Sequence, residues 1–366
     1  MTTPQRTIRA AILGCGRIGE RHATVLTDLP EFDLVGVADV VDGRAHGYAE
    51  RFKTRAYRDL ETLIASERPE VIEVCTPSGM HAGHVIAAAR AGVPNIVVEK
   101  PMALTLADAD AMIAACAEHG SRLFVVQQNR YNPPIRKLRE ALDAGRLGRL
   151  VMATARVWWC RHQAYYDQDA WRGTWAQDGG VFANQASHYV DMLTYTMGPV
   201  ASIAAITATR LVHIEAEDTG VAVMRFANGA TGVIEATTAA RPTNLEGSIS
   251  ILGENGVVEV AGFAMNEMRR WTFANPEPED EGVVERFRTN PPDVYGFGHH
   301  AYLRDVAHTI ATDGRPAVDG ADGRASLEVI VGLYESAASG QVVTFPVTPR
   351  HAPLGRPSDF RRRAAS

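Results

Sequence analysis

The sequence is expected to fold as an α/β protein in two parts. Residues 1–127 should form a doubly wound parallel sheet, and residues 128–347 an α/β domain with a large, mostly antiparallel open sheet. Three observations predict this. Apolar runs of strand length alternate with helical patterns through the first part. A glycine-rich turn, Gly14-Cys15-Gly16-Arg17-Ile18-Gly19, falls between the first such run and the first helical pattern. After Gln128 the rhythm changes to long alternating runs joined by turns of hairpin type, such as Asn228-Gly229 and Glu254-Asn255-Gly256.

The elements follow in order. Ile8 to Leu13 is the first strand, and a helix runs from the glycine turn to Leu29. In G-x-G-x-x-G the first glycine permits the tight turn and the second lets the backbone approach a pyrophosphate. The third lets helix and strand pack closely, and the helix N-terminus offers amide donors. The second strand, Leu34 to Ala38, ends in Asp39, at the spacing where a carboxylate meets the ribose hydroxyls of a dinucleotide. That acid would repel a 2′-phosphate, so NAD is expected rather than NADP. Helices are predicted over Asp42–Phe52 and Arg58–Ser66, then a strand over Val71–Cys75 that runs into Thr76-Pro77-Ser78-Gly79-Met80-His81. A helix over Ala82–Ala91 leads to the short apolar strand ending in Glu99-Lys100-Pro101. Ligands of an open parallel sheet lie beyond the carboxyl ends of its strands, which puts Lys100 at a binding crevice. A helix over Leu106–His119 and a strand over Leu123–Val126 complete the half.

The second part opens with a helix over Pro134–Ala144. Strands are predicted over Leu150–Trp159, Val200–His213, Thr219–Phe226, Ala230–Ala239, Glu246–Leu252 and Val257–Val260. A helical pattern over Asp178–Met197 interrupts them. Residues 266–292, polar and proline-rich, read as a loop or lid, and two helices near Ala301–Asp313 and Gly323–Ala338 follow. Residues 348–366, ending in Arg361-Arg362-Arg363-Ala364-Ala365-Ser366, read as a disordered tail.

Composition narrows the class. The chain has 366 residues, 46% hydrophobic and 22% charged, with a net charge of −6, so neither nucleic acid nor an anionic membrane is an expected partner. No apolar run approaches membrane-spanning length. The four cysteines, Cys15, Cys75, Cys116 and Cys160, are widely separated and show no metal spacing. A reduced, cytoplasmic protein is the expectation, and no metal is expected; adjacent histidines such as His299-His300 point in different directions on any regular element.

The second candidate constellation lies in Asp178-Gly179-Gly180-Val181-Phe182-Ala183-Asn184-Gln185-Ala186-Ser187-His188. On a helix Asn184 and His188 share one face. A histidine there can move a proton near neutral pH. Just before it, Arg161, His162, Tyr165, Tyr166, Trp171 and Arg172 form an aromatic and basic group suited to stacking on a sugar and binding hydroxyls, a carboxylate or a phosphate. Tyr295 and His299 are further candidates for that site.

Taken together, G-x-G-x-x-G, T-P-x-x-x-H (Thr76 to His81), Glu99-Lys100-Pro101 and the Gly-Gly stretch leading to His188 and Asp191 resemble the glucose-fructose oxidoreductase/inositol dehydrogenase/MocA (Gfo/Idh/MocA) family. The resemblance covers about residues 6–346, including Gly320-Ala321-Asp322-Gly323-Arg324 and its following helix. It implies a Rossmann domain, and homodimers or homotetramers built through the open sheet of the second domain. It also implies NAD(P)-dependent hydride transfer on the secondary alcohol of a sugar or polyol such as an inositol, glycoside or nucleotide-sugar. Cofactor contacts are implied for Gly14, Gly16, Arg17, Ile18, Gly19, Asp39, Thr76, Pro77, His81, Glu99 and Gln128. Catalytic roles are implied for Lys100, His188 and Asn184: His188 takes the hydroxyl proton, Lys100 stabilises the same oxygen, and Asn184 positions the alcohol. Substrate contacts are expected from these three with Arg161, Tyr166, Trp171, Arg172 and Tyr295. Many family members carry Asp where this chain has Asn184, and a neutral amide stabilises an imidazolium less, so His188 is expected to be readily neutral. Alternatives are reduction of a keto-sugar in the reverse direction, action on a flat apolar substrate such as biliverdin, and a non-catalytic NAD sensor.

Overall fold

The computed structural model describes residues 7–289, 291 and 296–357. They fall into two compact units. The first is the chain up to Val126 with His299–Ala325, and the second is Gln127–Gly298 with the chain from Ser326 onward. The chain therefore returns to the first unit late, and a single cut after residue 127 misses that return.

In the first unit six strands, β1 (Ile8–Leu13), β2 (Phe32–Ala38), β3 (Ala56–Tyr57), β4 (Val71–Val74), β5 (Asn95–Val98) and β6 (Arg122–Val125), form one sheet in the order β3-β2-β1-β4-β5-β6. All neighbours are parallel. The strand order reverses between β1 and β4, so the residues just beyond these strands, Gly14 and Cys75-Thr76, stand at the switch point where such sheets bind ligands. Helices Arg17–Asp28, Asp42–Phe52, Leu60–Glu67, His81–Arg90 and Leu106–His119 connect the strands. Their ends follow local chemistry: the Asp59 carboxylate accepts from Thr62 N at 2.8 Å, Thr105 Oγ1 accepts from Asp108 N at 3.1 Å, and Gly120 closes its helix at φ +70°. The late return docks through Val125 N, which donates to Val318 O at 3.1 Å. Gly320 and Gly323 allow close packing there, since a Cβ would meet Ile113 at 2.8 Å and Val125 at 2.7 Å.

The second unit carries eight strands: β7 (Leu150–Trp158), β8 (Val200–Ala208), β9 (Thr219–Phe226), β10 (Thr231–Thr237), β11 (Glu246–Gly253), β12 (Gly256–Ala261), β13 (Glu267–Phe273) and β14 (Val343–Thr344). They lie in the order β13-β12-β11-β7-β10-β9-β8-β14, antiparallel except for β7 with β10. Ala153, Ala155 and Val157 of β7 point into the core, where helix Ser187–Met197 packs on β7 and β11. The other face is open: Ile206, Val221 and Val223 are exposed, and Arg156 pairs across strands with Glu235 at 2.9 Å and Glu246 at 3.3 Å.

Two expectations change here. Residues 267–273, read as part of a loop or lid, form the edge strand β13, in which Met268, Trp271 and Phe273 are buried. Charged neighbours and a register shift obscure its alternation. Residues 348–357, read as part of a disordered tail, are held down by Glu335, whose carboxylate accepts from Arg350 N, His351 N and Ala352 N at 2.7–2.9 Å and from the His351 ring at 2.8 Å. The remainder of that tail lies outside the described residues.

Burial alone would raise the Glu335 pKa, but the His351 ring and the three amides outweigh it and hold the carboxyl down near about 2. A depressed acid contributes stability above its ordinary pKa and loses it as pH falls through the folded value. Glu335→Gln should therefore cost about 1–3 kcal/mol at pH 7, and less as pH falls from about 4.5 towards 2. Chemical denaturation across that range, with hydrogen exchange at residues 350–352, checks this; equal stability of variant and parent at pH 7 would contradict it.

Candidate active site

At the switch point each glycine of the fingerprint has a measurable reason. Gly14 sits at φ +104°, and a Cβ there would lie 2.7 Å from the Cys75 carbonyl. A Cβ on Gly19 would lie 2.1 Å from Gly14 O, so the helix rests directly on the turn. A Cβ on Gly16 would meet nothing within 4 Å, which leaves open space over the loop. Gly16 also precedes helix Arg17–Asp28 without a side-chain cap, so the helix offers its first amides to an anion. Asp39, at the end of β2, accepts from Cys15 N and Val41 N at 2.8 Å each and brings a carboxylate to the edge of the loop. Open space, uncapped amides and an acid at the next strand end fit the pyrophosphate and ribose of a dinucleotide. Arg17 is exposed and Ile18, Thr76 and Pro77 are half-buried.

The end of β5 is organised by two buried imidazoles. His22 lies one turn past Gly19; its Nδ1 makes a very short contact with Glu73 on β4, and its Nε2 lies 2.9 Å from Glu99. The other Glu99 oxygen accepts from Lys100 N at 3.0 Å. His81 has Nδ1 3.0 Å from Pro101 O and Nε2 2.9 Å from Thr76 O, tying the end of β4 to the turn after β5. The structure thus engages His81 and Glu99, expected at the cofactor, in buried contacts behind Lys100, which itself is half-buried. His299, expected near the substrate, belongs to the first unit and stacks edge-on against His22 at 5.5 Å between ring centres.

In the second unit His188 is buried with both ring nitrogens engaged. Gln127 Oε1 lies 3.1 Å from Nδ1, and the Gln128 amide nitrogen lies 2.9 Å from Nε2. A carbonyl can only accept and an amide nitrogen only donate, so Nδ1 carries the hydrogen and Nε2 keeps its lone pair. Gln128, expected at the cofactor, is thereby placed against His188. The pair is braced next door: Asp191 accepts from Arg130 at 2.9 and 2.7 Å and from Ser326 Oγ at 2.7 Å.

Asn184 is not on the helix with His188, contrary to expectation. That helix begins at Ser187, and residues 178–186 form successive turns. Gly179 at φ +84° turns the chain, and Tyr334 Oη accepts from Gly180 N at 3.2 Å and Ala183 N at 3.1 Å, which holds the segment as a loop. Tyr334 donates in turn to Glu217 Oε1 at 2.8 Å, and Glu217 also accepts from Phe182 N at 3.0 Å. The Asn184 amide makes a very short donation to Asp178, whose other oxygen accepts from Gly173 N at 2.7 Å. This orients the Asn184 amide and leaves its carbonyl as the acceptor. Burial, assisted by Asp178, raises the Glu217 carboxyl to about 7 against the hydrogen bonds that favour its anion.

The aromatic and basic group is real but divided in role. Arg172 stacks on Tyr165 at 4.6 Å and Trp171 at 4.5 Å and donates to Tyr165 Oη at 2.8 Å; Arg161 lies over Tyr165 at 5.2 Å. Tyr166 instead points inward, its hydroxyl 3.0 Å from Thr238 Oγ1. His162 stands beside Cys160, with Nε2 3.4 Å from Sγ. Tyr295 lies outside the described residues. Sequence reasoning missed His22, Glu73, Gln127, Asp178 and Glu217. Of these, His22 had a usable signal, lying three residues past Gly19 on the helix face that packs on the sheet.

Two outcomes follow. Gly16→Ala should leave the melting temperature within about 2 °C but weaken NADH by about tenfold or more, whereas Gly19→Ala should unfold the first unit by about 2–5 kcal/mol. Calorimetry and NADH titration separate the two, and an unstable Gly16→Ala would sink the open-space reading. For Glu217, a carboxyl raised in the fold makes stability fall as pH rises from its ordinary value towards about 7. Glu217→Gln should match the parent near pH 5 and melt higher at pH 8; a lower melting temperature at both would show that the anion is needed.

Comparison with known proteins agrees with this geometry. The model for the oxidoreductase family NAD-binding Rossmann fold matches residues 8–127, and that for the oxidoreductase family C-terminal alpha/beta domain matches residues 139–345. The chain is 29% identical to a myo-inositol 2-dehydrogenase of Thermotoga maritima over 336 residues, 87% of this chain and 93% of that protein. It is 40% identical to the WlbA dehydrogenase of Bordetella pertussis, solved in complex with NADH and UDP-GlcNAcA. That match covers 94% of this chain and 100% of the other, with a TM-score of 0.86. The WlbA dehydrogenase of Chromobacterium violaceum, with the same two ligands, is 39% identical over 95% and 98% of the chains, with a TM-score of 0.88. The glycine turn, the Glu99-Lys100-Pro101 strand end, the His188 segment and these matches together make this chain an NAD-binding oxidoreductase of the Gfo/Idh/MocA family.

Proposed function

We propose that the chain oxidises a ring hydroxyl of a nucleotide-linked sugar acid, passing hydride to NAD rather than NADP. The observation that carries the chemistry is the His188 ring, held with Nδ1 towards the Gln127 carbonyl and with the Nε2 lone pair accepting from the Gln128 amide, a bond that a substrate hydroxyl would replace. The substrate class is supported by the 40% identity to a dehydrogenase solved with NADH and UDP-GlcNAcA. It is supported too by Arg161 and Arg172 stacked among Tyr165 and Trp171, where a carboxylate or phosphate finds cations and a sugar finds aromatic faces.

NAD, when bound, supplies the hydride acceptor; Gly14, Gly16, Gly19 and the amides of Arg17 and Ile18 would hold its pyrophosphate and Asp39 its ribose. The carboxylate of Asp39 disfavours a 2′-phosphate by like-charge repulsion. On the substrate, His188 Nε2 takes the hydroxyl proton as the C–H bond is broken, and the Gln127 carbonyl stabilises the Nδ1–H side of the resulting imidazolium. The Lys100 ammonium, at the strand end of the first unit, is given the role of stabilising negative charge that develops on the substrate. The Asn184 carbonyl, its direction set by the amide's bond to Asp178, orients a neighbouring hydroxyl. The same groups serve carbonyl reduction in reverse. We further infer cytoplasmic dimers or tetramers built through the open face that exposes Ile206, Val221 and Val223. Among the described residues no helix is long and apolar enough to cross a membrane.

Absorbance of NADH should appear with NAD⁺ and UDP-linked uronic acids, with NAD⁺ favoured over NADP⁺ by about 100-fold in kcat/KM. Lys100→Ala and His188→Ala should each lower kcat by about 10²–10⁴. Turnover of free inositols with no response to nucleotide-sugars would overturn the substrate class, and activity surviving both substitutions would overturn the residue roles.

A further inference from the structure

Resting on the role given to Lys100 above, we propose that His22 is a positioning residue for that lysine. As an imidazolium clamped between Glu73 and Glu99, it fixes the carboxylate that receives the Lys100 backbone N–H.

The geometry is one continuous chain of contacts within the first unit. Glu73 reaches His22 Nδ1, His22 Nε2 lies 2.9 Å from Glu99 Oε1, and Glu99 Oε2 accepts from Lys100 N at 3.0 Å. His22 and Glu73 are fully buried and Glu99 is 5% exposed, so water cannot substitute for any link. Both imidazole nitrogens face carboxylate oxygens, which accept but do not donate, and only a doubly protonated ring satisfies both. The groups facing His22 from neighbouring elements are Glu73 and Cys75 from β4 and its end, Glu99 from the end of β5, and His299. Two carboxylates against one imidazolium leave a net negative charge behind the lysine ammonium, and burial lowers the His22 pKa less than these acids raise it, to about 10. The proton therefore stays on His22 through the neutral range. Remove it and two buried carboxylates are left to compete for a proton; Glu99 then gives up its hold on the Lys100 turn.

The test uses the full chain. His22→Gln keeps an amide N–H towards Glu99 without the charge, and Glu73→Gln keeps the imidazole while removing the nearer of its two carboxylate partners. Nitrogen NMR of ¹⁵N-histidine-labelled protein should show both His22 nitrogens protonated at pH 8. A crystal structure of His22→Gln should show the Glu99 to Lys100 N–H contact broken. In turnover, His22→Gln should lower kcat by about 30-fold or more, with NADH affinity and KM within about threefold. Glu73→Gln should move the alkaline fall of the kcat profile to lower pH than in the parent. A neutral His22 at pH 8, an unmoved Glu99 contact, or one metal ion per chain bound at this cluster would each overturn the proposal. So would kcat within about threefold of the parent, with Glu73→Gln unchanged in pH profile. The NMR and crystal readouts need no substrate, so silence of the parent towards every substrate would count against the proposed function alone.

Discussion

The first unit depends on a contact too close for a methyl group. Gly19 lies against Gly14 O so tightly that a Cβ would stand 2.1 Å away, and this sets helix Arg17–Asp28 down on the sheet. Two properties follow from one approach. The helix N-terminus points its amides into the space over Gly16, and His22, one turn further on, reaches the carboxylates of β4 and β5. The uncapped amides over Gly16 and the His22 contacts thus belong to the first two turns of the same helix. A looser packing would weaken both, because an interior packed to crystal density passes a shift on rather than absorbing it.

The second unit reaches its arrangement by different means. There the segment that carries Asn184 is irregular, and buried polar groups hold it rather than helix periodicity. Tyr334 collects two backbone amides, Glu217 receives Tyr334 and a third amide, and Asp178 collects Gly173 N and the Asn184 amide. Gly180 leaves the space that Glu217 occupies, since a Cβ there would lie 1.9 Å from its carboxylate. Such a network is costly if half made and rigid when complete, and it holds the loop in one conformation.

The proposed roles then rest on tautomers and charges set by neighbours. His188 is given its lone pair by two glutamine amides rather than by an acid, while the carboxylate nearest it in sequence on the same helix, Asp191, is spent on Arg130 and Ser326. In the proposed reaction a neutral cradle lets the ring change charge as the proton moves. An acid in the same place would hold it as a cation.

The sequence by itself determined what depends on local pattern. The parallel sheet of the first unit, helices such as Asp42–Phe52 and Leu106–His119, the tight turn at Gly14, the close packing at Gly19 and the place of Asp39 at its strand end were legible, because glycine spacing and hydrophobic period report backbone geometry directly. The strand end at Lys100 was legible for the same reason. Only tertiary structure decided the contacts between residues far apart in the chain. His22 meets Glu99 across 77 positions, Gln128 meets His188 across 60, and Glu335 collects the segment at 350–352. No period records such pairings. The Asn184 segment shows the limit most clearly: its spacing to His188 fits a helix, but Tyr334, 150 residues away, takes amides that a helix would have used. The edge strand β13 was hidden because an edge alternates charge with bulk and carries a register shift, so its burial is visible only once β12 lies beside it.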